Sequence, residues 1–105
     1  MIVATRSQKT ECLNPTTGRG INIDKEVYDL FSKPIYHSLK KEKALTFTGI
    51  VEAIEDCLEQ QNIKFKKSIP WYAVTVKNDL EARGVIETYT EKGKKLHRVK
   101  QKSRD

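Results

Sequence analysis

The sequence predicts an α+β domain, a three-helix core closed by a C-terminal two-stranded β-hairpin. Three observations carry that expectation. Apolar residues recur at helical spacing in three segments between residues 24 and 83, and Gly84 stops the third of them. Beyond Gly84, two alternating, β-branched segments fold back around Lys92 and Gly93. At 105 residues the chain is long enough for one domain and too short for two independent cores. It divides into an irregular N-terminal leader over residues 1–20, a domain over residues 21–100 and a basic tail over residues 101–105.

The leader contains Asn14-Pro15, Gly18 and Gly20 and has no sustained apolar period. The first helix starts at Asp24, whose carboxylate is placed to cap the free amides of the first turn, while Ile23 is placed to staple onto Tyr28. Tyr28, Phe31, Ile35 and Leu39 then form one buried stripe. Pro34 interrupts the stripe, so the segment is expected to kink or to split into two short helices. Lys40, Lys41 and Lys43 close it, where cations complement the helix dipole.

Residues 44–47 form a short apolar piece expected to pair with the hairpin as a minor strand, and Thr46 or Thr48 is placed to cap the second helix. That helix turns Phe47, Ile50, Val51, Ile54, Cys57 and Leu58 inward and Glu52, Glu55, Asp56 and Glu59 toward water. From residue 60 to residue 68 an extended connector is expected, with Ile63 and Phe65 alternating with Lys64 and Lys66. The third helix follows Ser68 or Ile69, carries Pro70 in its first turn, and buries Ala73, Val76 and Leu80 beside Tyr72. Residues 85–90 favour a strand, residues 91–94 a turn, and residues 96–99 the return strand.

Several function classes find no support. Cys12 and Cys57 fall in different settings, a leader and a helical apolar pattern, so no disulfide is expected and Cys57 reads as a small core residue. His37 and His97 share no tight spacing with either cysteine, and no metal site is expected. The acids of the second helix read as its wet face. There is no nucleophile paired with a base, and Gly18-Arg19-Gly20 lacks the ending of a phosphate loop. The chain therefore reads as non-enzymatic and without a cofactor. No apolar run approaches the roughly 18 residues of a membrane span, and residues 1–4 are too short for a signal-peptide core, so a cytoplasmic protein is expected.

Charge is unevenly distributed. Residues 92–104 hold seven cations and no acid, whereas the thirteen basic and fourteen acidic side chains elsewhere sum to −1. A balanced body with one cationic end points to an anionic partner met at that end.

The order helix, short strand, helix, helix, strand, strand is that of a winged helix. The string Asn78-Asp79-Leu80-Glu81-Ala82-Arg83-Gly84-Val85-Ile86 resembles the end of the recognition helix and start of the wing in MarR-type and PadR-type winged helix-turn-helix proteins. In those proteins a leucine precedes the glycine by four residues and an apolar pair follows it, with Val76 where they place a core residue. The likeness covers about residues 24 to 100. It looks closest to a small uncharacterised bacterial winged-helix-like family sharing a Trp-Tyr opening of this helix and a Leu-Glu-Ala-Arg-Gly ending. It implies the fold, and by analogy double-stranded DNA as partner and transcriptional regulation as a role.

On that reading Lys64, Lys66 and Lys67 before the third helix, and Lys92, Lys94, Lys95 and Arg98 on the wing, grip phosphates. The outward face of the third helix comprises Trp71, Val74, Thr75, Asn78 and Ala82, with Lys77 beside it. Trp71, Thr75, Lys77 and Asn78 are its candidate contacts. Only Asn78 there has the paired donor and acceptor that read adenine, and no arginine in its first half reads guanine. Lys77 and Arg83 balance Asp79 and Glu81, so the helix has no net charge, and the connector exceeds the turn of a tight helix-turn-helix. Trp71 and Tyr72 serve either as exposed stacking rings or, the preferred reading, with one or both sealing the core against the first helix. Those features motivate an alternative: a protein-interaction or self-association module, a homodimer included, using the neutral third-helix face or the acidic face of the second.

Overall fold

Seven elements follow one another in a computed structural model that describes residues 9–14 and 17–100. They are β1 (Lys9–Leu13), β2 (Gly20–Asp24), α1 (Lys25–Glu42), α2 (Phe47–Gln60), α3 (Ile69–Ala82), β3 (Ile86–Glu91) and β4 (Lys94–Val99). The three helices pack on one another, and two antiparallel hairpins, β1–β2 and β3–β4, lie against them. This is the α+β class read from the sequence, with a layout compatible with a winged helix. The expectations for residues 1–8 and for the tail over residues 101–105 concern residues outside those described.

Each helix end has a local cause. Thr46 caps α2 by accepting from the Gly49 amide at 3.2 Å, and Ser68 caps α3 by accepting from the Trp71 amide at 3.2 Å. At the end of α3, Gly84 sits at φ 78°, its amide bonded to the Glu81 carbonyl and the next amide, of Val85, to that of Leu80. These paired bonds satisfy two of the free terminal carbonyls. Helix α2 ends in the same way with Asn62 at φ 60° in place of glycine and Ile63 bonded back to Leu58.

The core is continuous across the helices. Phe31, Ile35, Leu39, Ile50, Ile54 and Val76 are almost completely buried, as is Ile86 of the wing. Phe65 turns inward from the connector to meet Phe31 and Tyr72, with ring centroids 5.0 and 5.4 Å away. The alternation read from residues 63–66 holds: Ile63 and Phe65 are half-buried, Lys64 and Lys66 exposed.

Three expectations are corrected. Helix α1 runs unbroken through Pro34, so of the two outcomes expected there, a kink or a split into two short helices, the split is excluded. Phe31 and Ile35 are buried on either side of the proline and hold the turn in register despite its missing amide. Asp24 takes the N-cap position of α1 but makes no side-chain cap; its carboxylate accepts instead from Lys9 Nζ at 2.7 Å, which lowers its pKa. Residues 9–13, expected within an irregular leader, form β1, with Cys12 opposite Ile21 and Thr10 opposite Ile23. The buried pair Cys12 and Ile23 fastens the hairpin to the body, and the turn between the strands is organised by Asn14, which accepts from the Thr17 and Gly18 amides.

The hairpin is fastened chiefly by Asp79. This carboxylate on α3 is fully buried, and it accepts from the Leu13 amide at 2.9 Å, from the Tyr28 hydroxyl of α1 and from Arg83 Nε at 2.9 and 2.8 Å. Arg83 also donates from a terminal nitrogen to the Glu11 carbonyl at 3.0 Å. Burial, and then the bond to Asp79, push the Tyr28 hydroxyl pKa up. Burial, followed by the nearby Asp79 charge, pushes the Cys12 thiol up to about 11, so it stays protonated near neutrality.

Substituting Asp79→Ala orphans the Leu13 amide and the Tyr28 hydroxyl and strips Arg83 of its partner. The unfolding free energy is expected to fall by roughly 3 kcal/mol, read from the urea midpoint. Removing an exposed pair instead, with Lys25→Gln opposite Asp29, should change it by less than about 0.5 kcal/mol.

Candidate nucleic-acid interface

The wing is a short, tightly turned hairpin. Its strands join through two residues, Lys92 and Gly93, both at positive φ (53° and 79°), the conformation whose twist matches that of paired strands. Register places Glu91 opposite Lys94 and Glu87 opposite Arg98. At its root, Leu45 and His97 exchange backbone bonds of 3.0 and 2.8 Å as an isolated antiparallel bridge. The minor pairing expected for residues 44–47 is thus a single bridge, and it joins the α1–α2 turn to the wing.

His97 is almost wholly buried there, its Nδ1 2.8 Å from the Thr88 hydroxyl. Burial first, and then the nearby Lys77 ammonium, lower its pKa to about 4, outweighing the opposite pull of Glu81. Glu81 itself is lowered: burial works to raise it, but the Thr88 hydroxyl and Lys77 prevail. The histidine is therefore a neutral structural group that ties the wing root to the α1–α2 turn.

The residues named from sequence fall into three sets. Lys64, Lys66, Lys67, Lys92, Lys94 and Lys95 are exposed, with no ion-pair partner among the described residues. Trp71 is 44% exposed and stacks edge-on against Tyr72 at 4.8 Å, while Tyr72 seals the core against α1 through Phe31. Asn78 is half-buried between these extremes.

Three candidates are not free. Thr75 is buried, its hydroxyl donating to the Trp71 carbonyl at 2.8 Å, and Lys77 is buried with its ammonium 3.3 Å from Glu81. Both lie on flanks of α3 occupied by the rest of the fold rather than on its outward face. Arg98 pairs with Glu87 at 2.6 Å and lies over the Tyr89 ring at 4.2 Å from its centroid. The outward strip of α3 narrows to Trp71, Val74, Asn78 and Ala82, which carries no charge.

Lys64, Lys66 and Lys67 lie in the connector before α3, and Lys92, Lys94 and Lys95 lie at the tip of the wing, whose root packs against the end of α1. Between the end of α1 and the wing lies an open groove of about 740 Å³ walled by Lys40, Lys43, Tyr89, Arg98 and Lys100. Sequence reading left Lys40 and Lys43 as helix-end charges. The signal that brings them to the wing was the expected pairing of residues 44–47 with the hairpin.

Among the described residues no three of His, Cys, Asp or Glu converge on a possible metal position, and no helix is long and apolar enough to cross a membrane. A family of unknown function (DUF6958) matches residues 9–96, and the chain belongs to that family. No curated protein and no solved structure matches it.

The buried imidazole has a measurable consequence. An NMR titration should find His97 neutral down to about pH 4. Between an unfolded value near 6.5 and about 4, the unfolded chain binds a proton that the folded chain does not. Stability from this group therefore falls as pH drops through that window, by about 3 kcal/mol at most, and His97→Gln should remove that part of the dependence.

Proposed function

We propose that this member of DUF6958 is a non-enzymatic winged-helix protein that binds double-stranded DNA through its phosphates. The observation that carries this reading is the presentation of Lys92, Lys94 and Lys95, exposed and unpaired among the described residues, on a rigid two-residue hairpin while the remaining body is close to charge-balanced. Lys64, Lys66 and Lys67 form a second exposed group in the connector before α3. Two such groups on separate elements suit contacts to backbone charges that recur along a duplex.

The same geometry argues against base reading by α3. Its free strip is neutral, and Asn78 is the one side chain there with a base-reading amide. Binding of this kind is dominated by counterion release, so it is steeply dependent on salt and tolerant of sequence.

A second reading rests on Trp71. An indole 44% exposed on an uncharged strip beside Val74 and Asn78 also suits a protein partner or a second copy of the chain. Under that reading Trp71→Ala abolishes association and the wing lysines do not matter.

Fluorescence anisotropy with a random-sequence duplex separates the two. About five phosphate contacts give a logarithmic salt slope of roughly −4 to −5, and replacing Lys92, Lys94 and Lys95 with Gln should flatten it by about 2 to 3. Absence of salt-sensitive duplex binding by the folded protein at low ionic strength rejects the DNA reading.

A further inference from the structure

We propose that the groove between the end of α1 and the wing is a second phosphate track, taking one strand of the nucleic-acid backbone continuous with the contacts of the wing tip. The inference rests on the DNA-binding reading and extends it to residues that reading does not use.

Three lysines from two distant parts of the sequence converge on this groove. Lys40 and Lys43 come from the last turn and cap of α1, and Lys100 follows β4. The Lys100 amide donates to the Val85 carbonyl at 2.9 Å, which fixes that end of the groove to the wing root. None of the three has an ion-pair partner among the described residues; Lys40 lies 5.7 Å from the Tyr36 ring centroid. Arg98 and Glu87 in the same wall neutralise each other. The C-terminal end of α1 contributes only about half a negative charge. Three unpaired ammonium groups outweigh it, and the groove is cationic.

The occupant follows from continuity and shape. Strand β4 leads from the tip to the groove, and the six steps from Lys94 to Lys100 cover about 20 Å of extended chain. Over that distance one strand of a duplex presents several phosphates. An extended array of cations with the same periodic demand at both ends matches a backbone better than a single anion. The wall adds a flat surface, the Arg98 guanidinium stacked on Tyr89, against which a sugar or base can lie.

The test uses two variants of α1 with equal charge loss. Lys40→Gln with Lys43→Gln removes cations that line this groove; Lys33→Gln with Lys41→Gln removes two from the same helix that line instead the groove against the acids of α2. Far-ultraviolet circular dichroism and urea unfolding confirm that both remain folded. For the random-sequence duplex, the first pair is expected to flatten the logarithmic salt slope by about 2, and the second to leave it within error of wild type. Equal slopes for the two variants overturn the phosphate track. If the wing-tip variant flattens the slope and the Lys40/Lys43 variant does not, the track fails while DNA binding stands. If wild type binds no duplex, both fall together. Polyglutamate binding lost in the Lys40/Lys43 variant, with duplex binding unaltered, assigns the groove to an acidic peptide and overturns the proposal.

Discussion

A single buried carboxylate sets the arrangement of this fold. Asp79 brings no charge to the surface, yet it receives donors from the N-terminal hairpin, from α1 and from the last turn of its own helix. A carboxylate removed from water is tolerable only when its acceptor sites are filled and a cation stands by. Those conditions are met only when β1, α1 and α3 are all in place, so the group couples three elements that packing alone would join less specifically. The same coupling engages Arg83, whose guanidinium spans from Asp79 to the Glu11 carbonyl.

The same clasp determines what the third helix leaves exposed. The N-terminal hairpin is attached beside Asp79, and the wing is seated on the other flank through Glu81, Thr88 and His97. What remains outward is a neutral strip with one large ring, while charge is carried by the segments before and after the helix. Form and charge are divided between different parts of the structure. The helices and His97 give the wing its position, and the lysines at its tip and root give it a polarity.

Much of the fold was legible because local chemistry and packing agree. Phe31, Ile35 and Leu39 are spaced as a helix face and are buried as one; Thr46, Ser68 and Gly84 mark ends by hydrogen bonds that only those positions need. Expectations failed where a distant partner decided the outcome. Nothing near residue 24 shows that the Asp24 carboxylate goes to Lys9 instead of capping, and the strand at 9–13 has too few apolar residues to stand out without the helix it packs on. Thr75 and Lys77 look outward on a helical projection, but hydrogen bonding within the helix and the approach of neighbouring elements enclose them. The wing lysines were readable because exposed charge on a two-residue hairpin needs no partner to be placed. Lys40 and Lys43 were readable by themselves only as a helix end; their relation to Lys100 follows from the pairing of the next segment with the hairpin and takes its shape in three dimensions.

The clasp at Asp79 also imposes an order of assembly. Leu13 and Asp79 are separated by 66 residues, and Glu11 and Arg83 by 72. During synthesis from the N-terminus, the strand made first waits for a partner near the far end of the domain, whereas α1, α2 and their connector can begin to pack beforehand. Closing so long a loop is slow relative to forming helices, and docking of the N-terminal hairpin belongs to the last stage of folding. Until α3 is in place, the Leu13 amide and the Glu11 carbonyl lack the Asp79 and Arg83 side chains that hold them in the finished domain.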